Sequence, residues 1–145
     1  ISDVSETMLF LAARAQLTNE KIMPSIAKNK FIICDRFSDS TLAYQGYGKQ
    51  VDSKMIEILN KFVTNNIEPS LTVLLDINYE NSLVRRGKTT DRMESNSEKF
   101  FNNVRLGYQK IAKNNLDRYL VLDAMLSVQQ LENLIWDRIC KEYKI

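Results

Sequence analysis

Residues 35–46 read D-R-F-S-D-S-T-L-A-Y-Q-G and follow directly on the apolar run F-I-I-C at 31–34. A buried strand ordinarily gives way to a turn of Gly, Asn or Pro. Here an acid and a base come first, Asp35 and Arg36, and then Ser40, Thr41, Tyr44 and Gln45. A guanidinium can clamp an anionic group through two parallel hydrogen bonds. A carboxylate beside it can order a magnesium ion or that ion's waters. The plainer reading of Asp35 and Arg36 is a structural ion pair that caps a sheet. The residues that follow favour the first reading. Ser40 to Gln45 fit within about one and a half helical turns, and hydroxyls, a flat ring and an amide suit a nucleoside better than a metal or a peptide.

Phe10 and Arg14 stand four residues apart and so share a helix face. A ring for stacking and a guanidinium donor can together read a base that carries an exposed carbonyl. The plainer alternative is a core Phe and a surface Arg. A third stretch, R-R-G-K-T-T-D-R-M-E at 85–94, contains a Gly-Lys-Thr that suggests a phosphate-binding P-loop. That motif needs a Gly where Ser82 stands, and it should follow a strand directly. The better reading is a basic loop whose Arg85, Arg86, Lys88 and Arg92 close over phosphates, against the alternative of a solvated charged loop.

These residues need elements to hold them. An Asp3–Glu6 capping box opens a helix running toward Met23, where Pro24 kinks or restarts it. Residues 31–34 read as a short buried strand, and Ser38 begins a helical turn that leads to Gly46 and Gly48. Met55, Ile58, Leu59 and Phe62 give a helix over 53–65 its apolar spacing. Residues 71–76 form a second buried strand, followed by a helix over 79–86. A longer helix carries Phe100, Phe101, Val104, Tyr108 and Ile111 inward. Residues 119–122 form a third strand, and a Ser127–Gln130 capping box starts the last helix. Strands separated by helices, with no hairpin signal, predict an α/β fold with a parallel sheet flanked by helices, in a single domain over 1–145.

Composition narrows the chemistry. The chain has 145 residues, a net charge of +2 and no histidine. Without histidine, Ser-His-Asp and Cys-His catalysis are excluded, and the commonest metal ligand is missing. A small net charge with interspersed signs gives no field for a polyanion, so no nucleic acid partner is expected. Cys34 and Cys140 are far apart, which suits a reducing compartment such as the cytoplasm. No stretch is apolar enough to span a membrane.

Taken together, L-F-L-A-A-R-A-Q at 9–16, the stretch at 35–46, P-S-L-T-V-L-L-D at 69–76 and D-R-M-E ending at Glu94 resemble thymidylate kinase, in that family's order. This is the P-loop nucleoside monophosphate kinase that makes dTDP from dTMP and ATP. The resemblance implies a stacking role on thymine for Phe10 and donation to its exocyclic oxygen by Arg14. It places Thr41, with Ser40, at the polar edge of the base, and Tyr44 beside the deoxyribose with Gln45 nearby. Arg36 would hold the dTMP phosphate, and Asp35 would help place magnesium. The basic loop would be a lid over ATP, bringing a catalytic arginine: Arg92 foremost, with Arg85 and Arg86 as alternatives. Residues 124–128 would lie against the adenine. A homodimer, paired through helices, is also implied.

The family opens with a strand and a glycine-rich P-loop that have no counterpart in these 145 residues. The expectation is an incomplete and inactive piece of the enzyme, with apolar surface left uncovered where strands are lacking. A related deoxynucleoside or deoxynucleotide kinase is the alternative enzyme, and a non-catalytic nucleotide-binding module the alternative of another class.

Overall fold

The computed structural model describes residues 1–86 and 97–144, in two compact units, Ile1–Glu68 and Pro69–Ile145. In the first unit, helix α1 (Asp3–Leu17) is capped by Ser2, whose hydroxyl accepts from the Ser5 amide at 3.1 Å. The expected Asp3–Glu6 box does not form. Glu6 turns inward instead, accepting from Lys49 Nζ at 2.8 Å and Gln45 Nε2 at 3.0 Å, and a carboxylate so engaged is lost to the helix end. The chain then widens into a five-residue turn (Thr18–Ile22) and restarts as α2 (Met23–Ile26), with Pro24 in its first turn. Pro24 has no N–H to give to the preceding turn, and the helix widens just before it.

Residues 31–34 overturn the expectation of a buried strand. They form no strand, and Phe31 and Ile33 are 72% and 98% exposed. A strand needs a neighbouring strand for its backbone groups, and the sheet among the described residues is made of residues 72–76 and 119–123.

Helix α3 (Ser38–Thr41) passes into a second wide turn (Leu42–Gly48), and α4 (Ser53–Val63) packs on that turn and on α1. Asp52 caps α4, accepting from the Lys54 and Met55 amides. Of the apolar residues that give this helix its spacing, Met55, Ile58 and Phe62 are exposed and Leu59 is half-buried. The buried face is Ile56 and Asn60, one turn apart, with Thr64 at the C-cap. On α1, Thr7 and Leu11 are buried while Met8 and Leu9 are exposed. Thr7 and Asn60 find partners in this interior, Thr7 Oγ1 at the Asp3 carbonyl, 2.7 Å away, and Asn60 at Arg14 and the Ser38 carbonyl.

In the second unit, β1 (Thr72–Asp76) and β2 (Tyr119–Asp123) pair in parallel, from Thr72 opposite Tyr119 to Asp76 opposite Asp123. Helix α5 (Tyr79–Arg86) packs on α6 (Glu98–Lys113), α6 on β1, and α7 (Val128–Tyr143) on β2. The parallel sheet flanked by helices is thus as expected. The strands are less buried than expected, with Leu75 and Val121 half exposed, because each has a single neighbour among the described residues. Phe100, Val104 and Ile111 are buried on α6, while Phe101 and Tyr108 are half-buried. The Ser127–Gln130 capping box is present. Among the described residues no helix is long and apolar enough to cross a membrane.

Candidate functional site

Arg36 is the residue that most sets this surface apart. Its backbone lies in the left-handed region at φ 64°, a conformation that costs an ordinary side chain roughly 1–2 kcal/mol. Three of the other residues with positive φ are asparagines, Asn29, Asn65 and Asn66, the type that tolerates it best. An arginine held this way marks a constrained position, and such strain gathers at functional sites. The turn swings the guanidinium over the Tyr44 ring, with Cζ 5.1 Å from its centroid. Two residues picked out eight positions apart therefore meet. Asp35, beside Arg36, is exposed.

Arg14 reaches the same segment from α1. Its Nη2 donates to the Phe37 carbonyl at 3.0 Å and its Nη1 to Asn60 Oδ1 at 2.9 Å. The guanidinium also lies 5.7 Å from the Phe37 ring centroid. Burial pushes the Arg14 pKa down and the Asp39 carboxylate pulls it back up, leaving it below its usual value, with the group still charged at neutral pH. Phe10, one turn earlier on α1, shows 44% of its surface, so its ring can meet a ligand.

The hydroxyl and amide set divides. Ser40 is half-buried beside Asp39, whereas Thr41 and Gln45 are each only 2% exposed. Gln45 gives its amide to Glu6, which also pairs with Lys49, and Lys49 binds Asp3 at 2.9 Å. Burial pushes the Glu6 carboxyl up, but the hydrogen bonds from Lys49 and Gln45 outweigh it and hold the group below its usual value. This network ties the wide turn under Tyr44 to the start of α1. Sequence reasoning missed these roles of Glu6, Lys49 and Asn60, since their partners lie 39 to 46 positions away. The one available signal for Asn60 was a polar residue one turn from Ile56.

The second unit carries the remaining candidates. Arg85, near the end of α5, donates to the Ala124 carbonyl just past β2, which brings a lid candidate to the segment expected near adenine. Arg86 closes α5. Lys88 and Arg92 lie outside the described residues. Asp76, at the end of β1, is taken by Arg105 and Gln109 from α6.

Among the described residues, no group of three or more His, Cys, Asp or Glu could hold a metal ion. The exposed Asp35 still suits magnesium, which keeps most of its waters and takes one or two carboxylates plus substrate phosphates.

A family model described as thymidylate kinase matches residues 1–135. Thymidylate kinases of Kosmotoga olearia and Geotalea uraniireducens are 38% and 39% identical to the chain over 141 and 143 residues. Those alignments cover 96% and 93% of this chain, and 66% and 67% of the relatives. The chain thus spans about two thirds of the length of these relatives. The crystal structure of thymidylate kinase from Ehrlichia chaffeensis aligns with a TM-score of 0.67 at 36% identity, over 84% of this chain and 59% of that one. The parallel sheet flanked by helices is therefore shared with a P-loop nucleoside monophosphate kinase fold.

Proposed function

The chain belongs to the thymidylate kinase family, and from that premise we propose that the protein transfers a phosphoryl group from ATP to dTMP, giving dTDP for dTTP synthesis in the cytoplasm. The observation that carries the reading is the left-handed Arg36 stacked on Tyr44, in one unit with an anchored Arg14 and an exposed Phe10. In this reading Phe10 stacks on thymine, Arg14 donates to its exocyclic oxygen, and Ser40 and Thr41 line its polar edge. Tyr44 packs beside the deoxyribose, Gln45 supports the turn that carries it, and Arg36 binds the dTMP phosphate. Asp35 helps place the magnesium that accompanies ATP. Arg85, Arg86, Lys88 and Arg92 serve the ATP phosphates, with Arg92 foremost as the catalytic arginine. Such an arginine can contribute roughly 10³ to 10⁵ in rate.

Phosphoryl transfer asks for positioning and charge stabilisation rather than covalent chemistry from the protein, so a chain without histidine is suited to it. The activity proposed is that of the whole protein. The 145 residues carry the acceptor side, and by themselves they are proposed to be inactive. Whole-protein turnover with ATP and dTMP, dUMP or dCMP tests the assignment. We expect dTMP to be preferred, over dUMP by about 10- to 200-fold, the range one methyl group can give. A preference for dCMP would sink the thymidylate reading.

A further inference from the structure

The geometry points to Asn60 as a positioning and specificity-determining residue, which fixes the Arg14 guanidinium against the segment that follows Arg36. The inference rests on the proposed reading of Arg14 as the donor to the base. Asn60 is buried on the inner face of α4, at 6% exposure, among helix positions otherwise filled by apolar side chains or threonine. Its amide is used at both ends. Oδ1 accepts from Arg14 Nη1 at 2.9 Å, and Nδ2 donates to the Ser38 carbonyl at 3.1 Å. One side chain therefore joins α4 to α1 and to the first residue of α3.

Hydrogen-bond accounting shows what this does to Arg14. A guanidinium carries five N–H donors in a rigid plane. Asn60 takes one at Nη1 and the Phe37 carbonyl takes one at Nη2, so the plane is pinned at both terminal nitrogens. The other donors then point in directions set by the protein rather than by the ligand. A donor fixed in this way rewards a carbonyl and opposes an exocyclic amine, which presents its own N–H. A guanidinium free to rotate could turn away from the amine, and discrimination would fall. Buried groups left unpaired by the wrong substrate are a large source of selectivity.

The test uses the whole protein and two substitutions. Asn60→Leu removes both ends of the bridge. Asn60→Asp keeps an acceptor for Arg14 and loses the donor to Ser38. For Asn60→Leu we expect at least a tenfold rise in KM for dTMP, KM for ATP within twofold of wild type, and at least a tenfold loss in the preference for dTMP over dCMP. For Asn60→Asp, KM for dTMP rises but the preference stays within threefold of wild type. A residue that merely stabilises the fold would not split preference from KM. If Asn60→Leu does not fold, Asn60→Ser, too short to reach Arg14, carries the same expectation.

Arg14→Ala is the benchmark. If it loses the preference while Asn60→Leu or Asn60→Ser keeps it, the role of Asn60 is overturned and the proposed function stands. If Arg14→Ala itself keeps the preference, the base-reading role of Arg14 fails, and the role of Asn60 with it.

Discussion

Asp76 and Asp35 each close an apolar run of the sequence, and the structure separates them by what surrounds each carboxylate. Asp76 accepts from Arg105 Nε and Nη2 at 2.8 and 2.7 Å and from Gln109 at 3.1 Å, whereas Asp35 is exposed. Bonds from Arg105, partly opposed by burial, hold the Asp76 carboxyl below its ordinary value of 3.8. The depressed pKa means that this pair stabilises the folded chain fully above that ordinary value, and the contribution is lost as pH falls through the lowered one. Asp76→Asn should therefore lower the urea midpoint at pH 7, and the gap to wild type should narrow at pH 3. A gap equally wide at both pH values would contradict the ion-pair account. Nothing in the sequence could choose between the two acids, because Arg105 lies 29 positions from Asp76 and only the packing of α6 on β1 joins them. Arg36 was legible in type and place, but its left-handed backbone was not.

Among elements, α4 departs most from its sequence. Periodicity places the helix correctly, since 53–65 contains the observed Ser53–Val63, but it does not pick out the buried residues. Met55, Ile58 and Phe62 are 51%, 62% and 78% exposed, while Asn60 goes inside because Arg14 and the Ser38 carbonyl supply partners for it. Apolar spacing reports a surface that avoids water, and it cannot say whether the same chain or another one covers it. This outward stripe supports the homodimer implied by the family resemblance. Sedimentation velocity of the whole protein should give the mass of two chains, and Phe62→Lys should shift it toward one. A wild-type protein of single-chain mass, or a dimer indifferent to Phe62→Lys, would remove α4 from the interface. Residues 31–34 teach the converse lesson: an apolar run fixes the appetite for a strand, and the partner decides whether one forms.

Across the whole molecule, the proposed acceptor residues Phe10, Arg14, Asp35, Arg36, Ser40, Thr41, Tyr44 and Gln45 all fall in the unit Ile1–Glu68, and Arg85 and Ala124 in Pro69–Ile145. The α/β class was legible because its signals are local: strands broken by helices, a capping box at Ser127, and a proline at 24. The interior of the first unit was not, because Gln45 and Asn60 are buried there through bonds to partners distant in sequence, Glu6, Arg14 and the Ser38 carbonyl. The central claim is that this chain holds dTMP by its phosphate through Arg36. The direct measurement is titration of dTMP and of ATP, separately, into the whole protein and its Arg36→Ala variant. A charged hydrogen bond contributes about 1.5–3 kcal/mol, so dTMP should bind about 10- to 100-fold more weakly to the variant, with ATP affinity unchanged. Equal loss for both nucleotides, or no loss for dTMP, would contradict the account.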